Sequence, residues 1–303
     1  MCGIVAASGK RNVIPILMDG LQRLEYRGYD SAGIALHQEQ QVLRLRALGK
    51  VLKLEELMVK HKPKATSGIA HTRWATHGAP SEENAHPHGS HDQIYIVHNG
   101  IIENHNEIRV QLKSYGYEIN SQTDSELIAH LIHFYKKEGG DTLKALINAT
   151  NKLKGAYSIA AIDSDQKDKI FAARQKSPLL IGKGIEENFV ASDPLAIINN
   201  TEAFYLLEDG DFAEITKNDI KIFNDKATEQ KREETLIEAT ATATSKGKHK
   251  HFMEKEIYEQ PEAIGNAING RLGGEDVLDN VFGAGSSEAF KGVKRIQFVA
   301  FGT

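Results

Sequence analysis

The only cysteine in the 303 residues stands at position 2. A single cysteine rules out an intrachain disulfide, so any fold must be held by its buried core, and the cytosol is the natural compartment. The position matters as much as the count. Removal of the initiator methionine would leave Cys2 as the N-terminal residue, directly before an apolar run, Gly3-Ile4-Val5-Ala6-Ala7, that reads as a first strand. A thiol placed there has a base in its own residue: an α-amine titrates at about 7.7–8.0 and a free thiol at about 8.5. Nucleophiles paired with an N-terminal amine serve acyl transfer. On these residues alone, a small apolar side chain opening a strand is the better account of Cys2.

The rest of the chain supplies the core that the lone cysteine demands. Apolar residues make up 40%, and the length accommodates two domains, or one large domain and part of another. With 37 basic against 41 acidic residues and a net charge of −4, nothing points to nucleic acid or an anionic membrane surface as a partner. No apolar run is long enough to span a membrane, and the N-terminus has no secretory signal pattern.

In chain order, Val13, Leu17, Leu21 and Leu24 recur at helical spacing, with Gly28 as the stop. Arg27-Gly28-Tyr29-Asp30-Ser31-Ala32-Gly33 reads as a tight loop. Ser31–Leu36 and Val42–Ala47 read as paired strands, Leu52–Val59 as a short helix and Gly68–Thr72 as another strand. That strand feeds Arg73-Trp74-Ala75-Thr76-His77-Gly78-Ala79-Pro80-Ser81, a polar loop with the only tryptophan. A guanidinium on such a loop is a bidentate clamp for a carboxylate. His71, His77, His86, His88, His91 and His98 lie close in sequence, but lack zinc-type spacing with Cys or carboxylate company, so hydrogen-bonded histidines are expected and no metal site.

From Gln93 to His98 the residues alternate, Ile94 and Ile96 on one face, Tyr95 and Val97 on the other. Asn99-Gly100 after a strand is a hairpin signal, yet Ile101-Ile102-Glu103-Asn104 does not read as a return strand. A side-chain amide beside a glycine N–H is also the donor pair of an oxyanion hole. A helix over Glu107–Tyr115 stops at Gly116, and Thr123-Asp124-Ser125-Glu126 has the form of a capping box. Asp124 thereby falls at a helix start, suited either to the helix dipole or to holding an ammonium group. After a helix near Thr142–Leu153, six short strands follow between Ala156 and Ile215. The alternation predicts packed layers with mostly antiparallel sheets. Charged and small polar residues dominate from Asn224 to Lys250, which reads as a linker with room for a short strand or helix. Two helices are expected over Phe252–Gln260 and Pro261–Leu272. Arg295–Phe301 has the apolar character of a strand inside a parallel sheet. Gly283-Ala284-Gly285-Ser286-Ser287 follows no strand and carries no weight as a phosphate loop.

Taken together, these segments resemble the class II, N-terminal-cysteine glutamine amidotransferases, and within them the glutamine–fructose-6-phosphate aminotransferase family. The matching stretches are Cys2–Val5, Leu24–Gly33, Gly68–Gly78, Asn84–His88, Val97–Asn104, Thr123–Glu126 and Lys255–Pro261. The Arg27–Gly33 run separates this branch from the related purine-pathway and asparagine enzymes.

The resemblance implies an α+β fold, a four-layer αββα sandwich of the N-terminal-nucleophile hydrolase type, over residues 2–220. It implies a linker over 221–250 and the start of an α/β sugar-isomerase domain over 251–303. It also implies glutamine as substrate, cleaved to glutamate and ammonia without cofactor or metal, and roles for particular residues. Cys2 would be the nucleophile, and Asn99 and Gly100 the oxyanion donors. Arg27 and Gly28 would help place the amine. Arg73 would bind the substrate carboxylate, Asp124 with Gly100 its ammonium group, and Trp74, Thr76 and His77 would line the site. Fructose 6-phosphate would be used only with the isomerase domains, in a full-length homodimer. Two rivals stand beside this reading: the glutaminase half of another class II amidotransferase, and a non-catalytic regulatory module that kept the fold.

Overall fold

The computed structural model describes residues 2–39, 41–75, 78–237, 249, 251–268, 272–273, 276–277, 288, 290–291, 293–295 and 297. The chain divides into two compact units, Met1–Ser245 and Lys246–Thr303.

The first unit opens with strand β1 (Gly3–Gly9) and helix α1 (Ile14–Leu24), the latter with proline in its first turn, where no N–H is needed. A hairpin of β2 (Ser31–His37) and β3 (Val42–Leu48) precedes α2 (Val51–His61). Then come β4 (Ser67–Arg73), β5 (His88–Ser90) and β6 (Ile94–Ile102). Three helices follow, α3 (His105–Ser114), α4 (Ser125–Lys137) and α5 (Thr142–Thr150). The strands resume as β7 (Gly155–Asp163), β8 (Ile170–Gln175), β9 (Leu180–Lys183), β10 (Glu187–Ala191), β11 (Ala203–Leu206) and β12 (Asp211–Ile215). The last are β13 (Ile220–Phe223), β14 (Glu229–Gln230) and β15 (Glu234–Leu236).

These strands form two sheets, ordered β15-β11-β9-β10-β1-β4-β2-β3 and β14-β13-β12-β8-β7-β6-β5, and every pairing between these strands is antiparallel. Three apolar layers hold them. Val5, Ala7, Ile34 and Leu36 bury one face of the first sheet against Leu17, Leu21 and Leu24 of α1 and Leu54 of α2. Ile94, Ile96, Ile159 and Phe171 bury the outer face of the second sheet against Leu112, Leu127, Leu131 and Leu146 of α3–α5. Between the sheets Ile4, Ala6 and Ile69 meet Tyr95, Val97 and Ala160. The layers thus run helix, sheet, sheet, helix, as the expected αββα sandwich requires. The alternation in β6 is explained the same way: both faces are buried, Ile94 and Ile96 under helices, Tyr95 and Val97 between sheets.

Four local expectations change. The strand does not turn at Asn99-Gly100; β6 continues to Ile102, paired residue for residue with β7. Gly100 permits this with φ 135°, and a Cβ there would stand 2.0 Å from the Ala156 carbonyl oxygen. The capping box is only half formed. Thr123 Oγ1 accepts from the Glu126 N–H at 3.3 Å, but the Glu126 carboxylate takes the N–H groups of Asn120 and Ser121, at 2.9 and 2.6 Å. Of the stretch read as a linker, residues 221–236 carry most of β13 and all of β14 and β15, which extend both sheets. Their alternation is too short to register as periodicity, and pairing with neighbouring strands orders them. In the second unit, one helix, α6 (Phe252–Ile268), runs through Pro261 where two helices were expected. The Gly283–Ser287 stretch and most of the apolar run at 295–301 lie outside the described residues. Among the described residues, no helix is long and apolar enough to cross a membrane.

Candidate active site

Strand parity places the candidate residues. Side chains two apart share a sheet face. On β1 the row Ile4, Ala6 lies between the sheets, and Cys2, just ahead of the strand, extends it. On β4 the same face carries Ile69, then His71 and Arg73. On β6 it carries Tyr95 and Val97, then Asn99. Because β1 and β4 are antiparallel neighbours (Gly3 opposite Thr72, Ile4 opposite His71), the first residues of the chain meet the end of β4. Cys2, His71, Arg73 and Asn99 therefore converge at one end of the layer between the sheets.

The Cys2 thiol is partly exposed, and Trp74 holds it from the backbone. The Trp74 N–H donates to Sγ at 3.2 Å, and the thiol lies 3.4 Å from the Trp74 carbonyl oxygen. Burial pushes the thiol pKa up, and the Trp74 N–H, which favours thiolate, does not cancel that effect. The thiol is thus protonated at neutral pH and needs a local base to become nucleophilic.

Asn99 is buried and oriented from both sides. Its Nδ2 donates to the Cys2 carbonyl oxygen at 3.2 Å, and its Oδ1 lies 2.9 Å from His71 Nε2. Gly100 follows it in β6. Arg73 closes β4 with a buried guanidinium, 3.4 Å from Asp30 Oδ1 and 3.3 Å from the Gly78 carbonyl oxygen. Asp30 also accepts from the Ala75 N–H, so one carboxylate braces both sides of Trp74. Asp124 is buried at the start of α4, and its Oδ2 accepts from the Ile102 N–H at 2.8 Å, two residues beyond Gly100.

Gly28 lies beneath the Trp74 ring. Its φ is 94°, and a Cβ there would stand 2.2 Å from the indole. Arg27 pairs with Asp193, which also accepts from the Tyr26 hydroxyl at 2.7 Å. The adjacent Ser192 hydroxyl accepts from the Ile4 N–H at 2.9 Å, so this group grips the beginning of β1. Thr76 and His77 lie outside the described residues.

The described histidines of the sequence cluster are engaged in protein contacts. His71 stacks on His86 at 4.0 Å, and His86 Nδ1 accepts from the His98 N–H at 3.3 Å. His88 Nε2 lies 3.1 Å from Thr123 Oγ1, and His98 Nδ1 lies 2.9 Å from the Ser125 hydroxyl. Burial lowers the pKa of His71 and His88 to about 3 and that of His86 well below the usual value, so all three are neutral. Two parts of the arrangement escaped the sequence reading. Asp30 stood inside the quoted Arg27–Gly33 run without a role, and Asp193 carried no signal.

A family model described as a glutamine amidotransferase domain matches residues 71–199. Among curated proteins, the glutamine–fructose-6-phosphate aminotransferases [isomerizing] of Idiomarina loihiensis and Pseudomonas aeruginosa are 48% and 49% identical to the chain. Each match covers 100% of this chain and 50% of the relative, so the chain spans about half the length of the curated relatives it matches. Among solved structures, the glutamine phosphoribosylpyrophosphate amidotransferase from B. subtilis superposes with a TM-score of 0.65 at 24% identity. That likeness covers 75% of this chain and 50% of the other, and speaks to the fold.

Proposed function

We propose that the chain is a glutamine amidotransferase whose first unit hydrolyses glutamine to glutamate and ammonia with Cys2 as nucleophile; the domain match over residues 71–199 and the 48–49% identity to curated relatives support this. The observation that carries this reading is the meeting of the Cys2 thiol, the Trp74 backbone and the Asn99 amide at one end of the layer between the sheets.

The chemistry follows from the groups present. Loss of Met1 frees the Cys2 α-amine. Sγ attacks the side-chain amide carbon of glutamine, a carbon–sulfur bond forms, and the thiol proton passes through the amine to the departing nitrogen. The amide oxygen gains negative charge and is met by the Asn99 Nδ2 and the Gly100 N–H. Ammonia leaves, and water cleaves the γ-glutamyl thioester to glutamate, restoring the thiol. The raised pKa of Cys2 fits this order of events, because the proton is taken at the moment of attack.

Arg73 binds the substrate α-carboxylate, and Asp124, with Gly100, its α-ammonium group. Both side chains are buried, so a charge pair with substrate is little screened. Trp74 covers the bound glutamine. Arg27, through Asp193, and Gly28, beneath Trp74, hold the N-terminus and the indole in place.

In the longer protein suggested by the relatives, the ammonia aminates fructose 6-phosphate to glucosamine 6-phosphate, in a cytoplasmic homodimer. Residues 251–303 then begin the sugar-isomerase part. The test is glutamate release from glutamine by the purified chain, against Cys2→Ala. Release by the wild type alone supports the reading; equal release by both overturns it. For the longer protein, glucosamine 6-phosphate formation that requires fructose 6-phosphate separates this acceptor from those of other amidotransferases.

A further inference from the structure

His71 has no part in the chemistry just described, yet it touches the group on which that chemistry depends. Its Nε2 faces two oxygens, the His98 carbonyl at 3.2 Å and Asn99 Oδ1 at 2.9 Å. A backbone carbonyl only accepts, so Nε2 must carry the proton. The atom of the Asn99 amide that meets it must then be the oxygen. The far side gives the same answer independently: the Asn99 amide faces the Cys2 carbonyl oxygen at 3.2 Å, which also only accepts, so the NH₂ must lie there. A flipped amide would set donor against donor at His71 and oxygen against oxygen at Cys2.

We infer that His71 is a positioning residue for the glutaminase reaction: its Nε2–H holds the Asn99 carboxamide in the one orientation that aims the amide N–H groups at Cys2. This rests on the reading of Asn99 as an oxyanion donor. The other ring nitrogen supports the assignment. His71 Nδ1 is buried and has no hydrogen-bond partner among the described residues. The ring is fully buried and stacked on His86. A ring kept neutral in this way presents a single donor, in a fixed direction, to Asn99.

The test compares His71→Leu, which keeps bulk but cannot donate, with His71→Gln, which can. Leucine is expected to lower kcat for glutamate release roughly 10- to 100-fold with KM nearly unchanged, because only a transition-state contact is disturbed. Glutamine is expected to restore most of it. In an Asn99→Ala background, His71→Leu is expected to cost almost nothing more. An equal cost in both backgrounds would mean a merely structural role and overturn the inference, while leaving the Cys2 reading intact. If Asn99→Ala itself leaves kcat unchanged, the oxyanion reading falls and this inference with it. A measurement independent of activity and of variant folding is the ¹⁵N spectrum of the wild-type histidines. His71 is expected to show a protonated Nε2 and a bare Nδ1 from pH 5 to 8. A proton on Nδ1 would overturn the inference.

Discussion

The layer between the two sheets is closed at each end by a histidine on the first sheet, and the two ends are finished differently. At the far end, His37 of β2 reaches the Asp163 carbonyl oxygen of β7 through Nε2 at 2.9 Å, just as His71 of β4 reaches the His98 carbonyl of β6. There the likeness stops. His37 Nδ1 is satisfied by the Ser67 hydroxyl at 2.7 Å, and Thr66 and Ser67 both lean on Asp168. Among the described residues His71 Nδ1 has no partner, and its Nε2–H is shared with an amide that donates to the backbone carbonyl of Cys2, whose thiol is partly exposed. The same rows of side chains run from one end to the other: Cys2, Ile4, Ala6, Ser8 on β1 and Arg73, His71, Ile69, Ser67 on β4. One end spends its polar groups on each other; the other leaves, among the described residues, a ring nitrogen bare and a thiol partly exposed.

That contrast can be broken. Asn99→Ala removes the donor at the Cys2 end and is expected to lower kcat for glutamate release by about 10²–10³. Gly28→Ala puts a methyl into the Trp74 ring and forces a backbone that alanine resists, so Trp74 must shift off Cys2. A loss of about 10²-fold in kcat/KM is expected, read in the same assay.

Acid attacks both ends through their buried histidines. A histidine with a folded-state pKa near 3 and an unfolded value near 6.5 stays neutral when folded and gains a proton when unfolded. Its stability contribution is therefore full above pH 6.5 and is lost as pH falls towards 3. For His71 and for His88 the expected loss is about 2 kcal/mol each between pH 7 and 5, checked by denaturant titration across that range. His37 is lowered in the same direction, chiefly by burial, and adds to the loss.

The smallest effect is at the far end. Ser67→Ala leaves His37 Nδ1 without a donor and is expected to cost about 1–2 kcal/mol of stability, with kcat unchanged where the protein is folded. If Ser67→Ala lowered kcat as Asn99→Ala does, the division between the two ends would be wrong.

What the sequence made legible follows the same physics. Periodicity located the strands and helices whose burial is continuous, from β1 through α5, because a buried row repeats over several turns or pleats. The alternation of β6 even distinguished its two cores. It was silent on β14 and β15, which are too short to repeat and take their order from neighbouring strands. Asn99-Gly100 read as the end of a strand that in fact continues, because the glycine serves the close approach of the Ala156 carbonyl. Of the proposed site, residue types suited to the chemistry were readable: Cys2, Arg73, Asn99 and Asp124 each suit one task in that proposal. What holds them was not. Asp30, Asp193 and the orientation set by His71 depend on contacts across 43, 166 and 28 positions in sequence, and nothing local announces them.

The central claim is that the thiol at the start of β1 attacks glutamine. It is tested most directly by mixing the Met1-processed chain with glutamine, quenching in acid and finding by mass spectrometry which peptide carries a γ-glutamyl group. The account predicts the adduct on Cys2, absent from Cys2→Ala and from chains that retain Met1. Glutamate formation at full rate in Cys2→Ala, or an adduct on any other residue, would contradict it.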